Sequence, residues 1–316
     1  MAEITLTETG EPGRPHWLPR SVFPFQLRFT DVNGRRVHYL DEGSGPALLL
    51  VSAGQWSFMF RDVIVRLSGQ FRCLTLDFPG CGLSPDAPGH DHSVRANAQI
   101  LEGFIDALDL QDITMAVHDV GGPLGFLIAV RRPQRFRALV ISNTFGWPLA
   151  SYPTVRRTLK AVGSRPFGAI NTLTNVLALV TASRYGVGRH MGRADRRAFA
   201  GPWRSRSSRR ATQNILAGVL SIDPVMAEVE LSLRATLAEL PVLTLFGRKN
   251  DRYRWQTRFQ QIFPHATAAG IDDGHHFPFN DDPDAYGAAI SDWWVQQVAP
   301  GDSQPESANS RQESSR

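Results

Sequence analysis

Residues 113–123 read ITMAVHDVGGP, and this stretch decides the fold class. It begins as a strand buried on both faces, makes a sharp turn, and continues at once as a helix that starts with two glycines. This layout is typical of a nucleophile elbow, and Asp119 occupies the position of the nucleophile. Its carboxylate is ionised at pH 7 and needs no base in order to attack. The alternative is that Asp119 is only an N-cap residue.

Strand-like and helix-like segments alternate on both sides of this stretch. The alternation predicts an α/β fold, with a mostly parallel sheet flanked by helices. Asn33-Gly34 predicts a hairpin turn between the strands Leu27–Thr30 and Val37–Leu40. The other predicted strands are Ala47–Val51, Phe71–Leu76, Ile113–Val117, Ala138–Ser142, Val242–Phe246 and Thr267–Ile271. The predicted helices of this alternating part are Ser93–Leu108, Gly121–Val130 and Asp284–Val298.

The alternation stops between residues 147 and 238, where no strand is predicted. This segment is too long for a loop and predicts a helical cap inserted over the carboxyl ends of the sheet. The core then comprises residues 25–146 and 239–299, after an irregular N-terminal arm over residues 1–24. Residues 300–316 are Ser-rich and predict a disordered tail. The helices predicted in the cap are Val155–Leu159, Ile170–Leu179, Arg193–Phe199, Arg209–Leu220 and Ala227–Ala238.

Two further candidate catalytic residues follow later strands. Asp251 lies shortly after the strand that ends at Phe246, and His276 lies after the last predicted strand. His276 is preferred over His275 because of its spacing to Phe277-Pro278. The carboxyl ends of parallel strands meet at one edge of a sheet, where such folds place their sites. The chain order of nucleophile, acid and histidine therefore predicts a catalytic triad at that edge.

Five motifs of the chain match one known pattern: WSFMFRD (56–62), DFPGCGLS (77–84), HDVGGP (118–123), FGRKND (246–251) and HFPFNDDP (276–283). On these motifs, the chain from about Leu27 to Val298 resembles the haloalkane dehalogenase branch of the α/β-hydrolase superfamily, which is related to the epoxide hydrolases. The resemblance implies the α/β-hydrolase fold with an inserted helical cap. It also implies the roles of the triad, with Asp119 as nucleophile, His276 as base and Asp251 as the acid that orients His276.

Both side chains that hold the halide in that family are absent. Family members place a tryptophan directly after the nucleophile and an asparagine after the strand equivalent to Ala47–Val51, whereas this chain has Val120 and Ala53. Hydrogen bonds to a charged group contribute about 1.5–3 kcal/mol each, so their loss predicts weak dehalogenation. The backbone amides near Val120 and Ala53 are the expected oxyanion donors. The candidates for replacement leaving-group donors are Gln55, Trp56, Trp147 and Trp203. The other predicted pocket residues are Phe145, Tyr152, Tyr185 and Phe277.

The resemblance and the motifs together predict a two-step hydrolase for a small apolar electrophile. Asp119 attacks carbon and forms an ester, and His276 then activates the water that hydrolyses it. The scheme needs no metal and no organic cofactor. A haloalkane is the substrate that the family implies first. The alternatives are an epoxide, with Tyr152 or Tyr185 as the acid, a strained β-lactone, and a catalytically silent binding protein on the same scaffold.

The composition and the N-terminus indicate where in the cell the protein is expected. Hydrophobic residues make up 42% of 316, and no apolar run approaches the ~20 residues of a membrane span. The N-terminus lacks the pattern of a secretory signal, and two cysteines, Cys73 and Cys81, do not make a disulfide framework. A cytoplasmic location is therefore expected. The oligomeric state is left open.

One stretch of the chain is rich in arginine. Residues 184–210 contain nine arginines and a single acidic residue, Asp195, although the net charge of the whole chain is only +4. We interpret the stretch as a solvated helical face, and the alternative is an anion-binding patch. Nucleic-acid binding is not predicted, because no aromatic residues are interleaved in a known binding module.

Overall fold

The sheet contains eight strands among residues 14–184 and 186–299, which are the residues that a computed structural model describes. The strands are β1 (Arg28–Val32), β2 (Arg35–Glu42), β3 (Ala47–Val51), β4 (Arg72–Leu76), β5 (Ile113–Asp119), β6 (Phe136–Thr144), β7 (Val242–Gly247) and β8 (Thr267–Ile271). Their order is β1-β2-β4-β3-β5-β6-β7-β8. β2 alone runs opposite to the other seven strands, so the predicted α/β class with a mostly parallel sheet is confirmed.

Helices cover both faces of this sheet. Two separate clusters of buried apolar side chains lie against the sheet, as expected when strands are buried on both sides. The helices of the alternating part are α1 (Arg61–Leu67), α2 (Val94–Ala107) and α3 (Gly121–Ala129). The chain between β6 and β7 contains α4 (Pro153–Val162), α5 (Arg165–Thr174), α6 (Val176–Thr181), α7 (Arg193–Phe199), α8 (Arg206–Gly218) and α9 (Asp223–Thr236). After β7 come α10 (Trp255–Ile262), α11 (Pro278–Asp281) and α12 (Pro283–Gln297).

The local signals of the sequence explain where several elements begin and end. Asn33 and Gly34 both have positive φ, at 55° and 75°, so the predicted hairpin turn is confirmed. Ser93 caps α2 by accepting a hydrogen bond from the Ala96 amide at 3.1 Å. The predicted helix Ile170–Leu179 is wrong as a single element. Asn175 adopts a left-handed conformation at φ 59° and separates α5 from α6.

The described chain between β6 and β7 is helical and contains no strand. This agrees with the helices predicted there, while the division of the chain into core and cap stays a prediction. Residues 14–24 form turns, and Leu18 and Phe23 of this segment are fully buried. The remainder of the predicted arm, the predicted tail and Tyr185 lie outside the described residues. No helix of the described residues is long and apolar enough to cross a membrane.

Candidate active site

Asp119 lies at the carboxyl end of β5 in a strained turn. Its φ is +50°, a conformation that most non-glycine residues avoid and that is often found at functional sites. Gly121 and Gly122 follow because no side chain fits there. A Cβ on Gly121 would lie 2.2 Å from the Val51 carbonyl oxygen, and a Cβ on Gly122 would lie 1.9 Å from Thr144 Oγ1. The predicted strand–turn–helix is therefore present, with Asp119 at its apex.

His276 lies beside this carboxylate. Its Nε2 is 3.3 Å from Asp119 Oδ2. Burial acts to raise the pKa of Asp119, but the hydrogen bond and charge of His276, together with the Val120 amide, lower it below its ordinary value. Asp119 is therefore an anion at neutral pH. This is the protonation state in which a carboxylate acts as a nucleophile.

Asp251 does not contact His276 in this structure. Its two carboxylate oxygens accept hydrogen bonds from the backbone amides of Trp255, at 2.6 Å, and Gln256, at 3.2 Å. Asp251 therefore caps the N-terminus of α10, and burial raises the pKa of its carboxyl above the ordinary value. The expected hydrogen bond between Asp251 and His276 is absent, although both residues line the same cavity. The role of Asp251 as the orienting acid stays a prediction.

The imidazole of His276 has a different neighbour at Nδ1. The side-chain amide nitrogen of Asn250 lies 3.4 Å from this nitrogen, in a contact whose donor and acceptor depend on the tautomer of the ring. A histidine that takes a proton from water needs a free Nε2 and a proton on Nδ1, and an acceptor at Nδ1 favours that tautomer. Asn250 can supply such an acceptor only through its side-chain oxygen, whereas both carboxylate oxygens of Asp251, its neighbour in the chain, are acceptors.

His118 connects two parts of the site that the sequence did not connect. Its Nε2–H donates to the His276 carbonyl oxygen at 2.7 Å, and its Nδ1 accepts from Ser52 Oγ at 3.3 Å. Burial lowers the pKa of His118 to about 3, so the ring stays neutral and keeps both hydrogen bonds. Ser52 immediately precedes Ala53, so His118 links the loop after β3 to the loop that carries His276. Its place directly before Asp119 was the only sequence signal for this role.

The cavity beside Asp119 has a volume of about 420 Å³. Five of the predicted site residues line it: Asp119, Val120, Phe145, Asp251 and His276. The helical segment between β6 and β7 contributes an apolar wall of Leu149, Val155, Leu159, Leu216 and Val219. The sequence reasoning missed these aliphatic residues and the remaining lining residues Asn143, Phe246, Lys249, Asn250, Arg252, Tyr253 and Trp255. Helical spacing indicated that aliphatic side chains were buried, but not what they faced.

Three of the predicted replacement donors already have other roles or do not reach the cavity. The indole N–H of Trp56 donates to the Phe199 carbonyl oxygen at 2.9 Å, and that of Trp203 donates to Thr212 Oγ1 at 2.9 Å. The prediction that these two indoles serve the leaving group is therefore wrong. Trp147 is fully buried outside the cavity lining, and its N–H has no partner among the described residues.

The other predicted pocket residues also lie away from the lining. Ala53, Gln55, Tyr152 and Phe277 are not among the side chains that surround the cavity. The Tyr152 hydroxyl accepts a hydrogen bond from Arg258 Nη1 at 3.1 Å, and the Phe277 ring packs edge-on against His276. Ala53 and Gln55 were placed in the pocket because they follow β3, and Tyr152 because it is a tyrosine of the predicted cap. Position in the chain does not show which way a side chain points.

Replacing Asp251 by asparagine separates its capping role from an orienting role. The single side-chain oxygen of asparagine still accepts from the Trp255 amide, so stability is expected within about 1 kcal/mol of wild type. If Asp251 orients His276 when substrate is bound, turnover falls by at least about 100-fold, because the neutral amide favours the wrong tautomer. Asn250→Ala removes the contact seen here and is expected to cost only about tenfold. A larger loss in Asn250→Ala, measured as kcat on the same substrate, would assign the orienting role to Asn250.

Comparison with known proteins places the chain in a family. Residues 46–283 match the family described as the alpha/beta hydrolase fold. Haloalkane dehalogenase 2 of Mycobacterium tuberculosis H37Rv is 30% identical over 275 residues, which cover 85% of this chain and 95% of that protein. Cis-3-alkyl-4-alkyloxetan-2-one decarboxylase of Shewanella oneidensis is 29% identical over 311 residues, which cover 90% of this chain and 94% of that protein.

The solved structures agree with this assignment at the level of the fold. The haloalkane dehalogenase DbeA from Bradyrhizobium elkani USDA94 superimposes with a TM-score of 0.75 at 20% sequence identity, and covers 87% of this chain and 99% of its own. The family match, the curated relatives and the eight-stranded sheet with Asp119 at the elbow therefore lead to one conclusion. The chain belongs to the α/β-hydrolase fold family, as a hydrolase of the haloalkane dehalogenase-like branch.

Proposed function

We propose that this hydrolase works through an ester on Asp119. The observation that carries the proposal is the position of an ionised Asp119 carboxylate on a strained elbow, 3.3 Å from His276 Nε2, at the wall of a largely apolar cavity. A carboxylate is a weak nucleophile in water. In a cavity with few competing water molecules it attacks carbon more readily.

The reaction proceeds in two steps. One Asp119 oxygen forms a bond to an electrophilic carbon of the substrate, and the leaving group departs with the electron pair of the broken bond. His276 then takes a proton from water, and the resulting hydroxide attacks the carboxyl carbon of the ester. The backbone amides near Val120 and Ala53 stabilise the oxyanion of this second step, which releases the alcohol and regenerates Asp119. Neither step uses a metal or an organic cofactor.

The cavity favours a small apolar substrate but does not favour a halide as the leaving group. Val120 offers no side-chain donor, and the indoles of Trp56 and Trp203 donate elsewhere. A leaving group that carries its own charge stabilisation needs less help from the protein. In a strained β-lactone, the nucleophile can attack the saturated ring carbon that is bonded to the ring oxygen. The ring then opens and releases a carboxylate, whose charge is delocalised over two oxygens.

A β-lactone is therefore the second candidate substrate class. The Shewanella relative is named for its action on a ring of this kind, and it matches 90% of this chain. An epoxide requires an acid for the departing alkoxide. Tyr152 does not line the cavity, whereas Tyr253 does, so Tyr253 replaces Tyr152 as the acid in that alternative.

The decisive experiment traps the ester. We expect His276→Gln, incubated with a panel of bromoalkanes, epoxides and β-lactones, to gain the mass of one class of substrate, because attack needs no base but hydrolysis does. Intact-protein mass spectrometry followed by peptide mapping is expected to place the adduct on Asp119. The mass gained identifies the electrophile. An absence of any adduct or burst across the panel would contradict the two-step scheme and favour a silent binding protein.

Dehalogenation of simple bromoalkanes is expected to be slow. Without the two side chains that hold the halide in the family, release of bromide from 1-bromobutane should stay below ~1 s⁻¹, the low end of ordinary enzyme turnover. The combined change Ala53→Asn and Val120→Trp puts back the family's residues at both positions and is expected to raise the rate of bromide release. Packing the larger ring is expected to cost ~1–3 kcal/mol of stability. Ion chromatography of the released bromide measures the rates of the wild-type protein and of the double variant. Wild-type turnover above ~1 s⁻¹ would show that other groups hold the halide.

A further inference from the structure

Helix α5 turns its apolar face to solvent. Pro166, Ala169, Ile170 and Leu173 occupy positions i, i+3, i+4 and i+7, so they share one face of the helix. All four are exposed, and the exposed fractions of Ile170 and Leu173 are 53% and 69%. The buried side of the same helix carries the polar Asn171. This orientation is the reverse of the usual arrangement in a globular protein, where the apolar face packs inward.

Helix α6, which contacts α5, adds two exposed aliphatic side chains. Leu179 and Val180 are 58% and 56% exposed. The two helices are held together by Asn171, whose Oδ1 accepts a hydrogen bond from the Leu177 amide at 3.0 Å. Four of the seven large hydrophobic residues that are exposed in the described part of the chain lie on these two short helices. We refer to Ile170, Leu173, Leu179 and Val180 as the α5–α6 face.

The surroundings of the α5–α6 face are strongly basic. Residues 153–222 contain thirteen arginines or lysines and one carboxylate, Asp195. Arg165 is exposed at the start of α5, and Arg206 and Arg210 are exposed on α8, which packs against α5. None of these three side chains has a carboxylate within 4.0 Å among the described residues. These three arginines therefore add positive charge beside α5 that no carboxylate of the described residues pairs with.

We propose that the α5–α6 face docks on an anionic lipid surface. Exposed aliphatic side chains bordered by arginines are the composition of a helix that lies in a membrane interface, where the apolar residues enter the headgroup region and the cations contact acidic lipids. A second copy of the chain is a poor occupant, because self-association through this face would bring two strongly basic segments together. Docking through this face is separate from the hydrolase reaction and does not depend on the identity of the substrate.

Vesicle co-sedimentation of the full chain tests the proposal. We expect binding to phosphatidylcholine vesicles that contain roughly 30% phosphatidylglycerol, and at least about tenfold weaker partitioning onto pure phosphatidylcholine. Raising the salt from about 0.05 M to about 0.5 M is expected to weaken the binding, since screening shortens the range of the attraction. The double variant Ile170→Ser/Leu173→Ser and the triple variant Arg165→Gln/Arg206→Gln/Arg210→Gln are each expected to reduce binding to anionic vesicles by at least about tenfold.

The chain offers a matched control on another surface. Leu231 on α9 is 71% exposed, and Leu231→Ser removes an equally accessible apolar side chain outside the α5–α6 face. It is expected to change vesicle binding less than about twofold. All the replaced side chains are exposed, so the melting temperature of every variant should stay close to that of wild type.

Five results would overturn the proposal. The first is equal partitioning onto neutral and anionic vesicles. The second is an equal loss of vesicle binding in Leu231→Ser and in Ile170→Ser/Leu173→Ser. The third is no binding to vesicles at all. The fourth is a dimer, seen by sedimentation velocity, that only Ile170→Ser/Leu173→Ser dissociates, which would make the face an interface between copies of the chain. Retention by a poly-glutamate column in the absence of vesicle binding would likewise assign the face to an acidic polypeptide partner instead of lipid.

Discussion

Replacing Asp119 by alanine is expected to lower turnover by at least about four powers of ten, on whichever substrate the enzyme accepts. In the proposed mechanism this residue is the nucleophile, and loss of such a group removes the covalent route entirely. The fold should persist, because the side chain of Asp119 faces the cavity and not the core. Single-turnover kinetics and circular dichroism on the same preparation measure the two effects separately.

The behaviour of His276→Gln complements this result. Both variants are expected to lose turnover, but only His276→Gln should accumulate an adduct, while Asp119→Ala should form none. Asp272→Ala is a suitable control, since Asp272 is an exposed carboxylate paired with Arg248 in a nearby loop. An adduct that persists in Asp119→Ala would move the nucleophile to another residue.

Gly121→Ala is expected to destabilise the protein by about 3 kcal/mol, or to prevent folding. The new methyl group would lie 2.2 Å from the Val51 carbonyl oxygen and 2.9 Å from Ser52 Cα, and both are backbone atoms that cannot move without disturbing β3. The substitution therefore forces α3 away from the sheet. Urea denaturation monitored by tryptophan fluorescence gives the free energy of unfolding.

The control for this change is Gly69→Ala. A Cβ on Gly69 meets no atom within 4 Å, so the free energy of unfolding of that variant should lie within about 1 kcal/mol of the wild-type value. Equal stability of the two alanine variants would mean that α3 does not require a close approach to β3. A Gly121→Ala protein that still folds should also show slower ester hydrolysis, because the oxyanion donors near Val120 move with α3.

Much of the architecture followed from local patterns in the chain. Continuous apolar runs identified the buried strands, and Asn33-Gly34 identified the hairpin turn, because both depend on short-range backbone preferences. The elbow at Asp119 was predictable for the same reason. Strand, turn and helix there are contiguous in sequence, and two glycines mark where the helix must pass close to the sheet.

Side-chain partners did not follow from the sequence. Asp251 was expected to contact His276, yet it caps α10, because a carboxylate four residues before Trp255 reaches that free amide directly. Trp56 and Trp203 were expected at the leaving group, yet their N–H groups bind Phe199 and Thr212 from the helical segment. Whether two such side chains meet depends on their rotamers and on the conformation of the loops that carry them.

The sequence by itself determined the α/β class, the family and the positions of Asp119 and His276 at the ends of two predicted strands, since these depend on periodicity and on motifs of adjacent residues. Only the tertiary structure decided that His118 joins Ser52 to the His276 loop, that Asn250 occupies Nδ1 of His276, and that the apolar face of α5 points outward. Helical spacing shows that a helix has an apolar face. The direction of that face depends on contacts with residues distant in the chain, which no local pattern encodes.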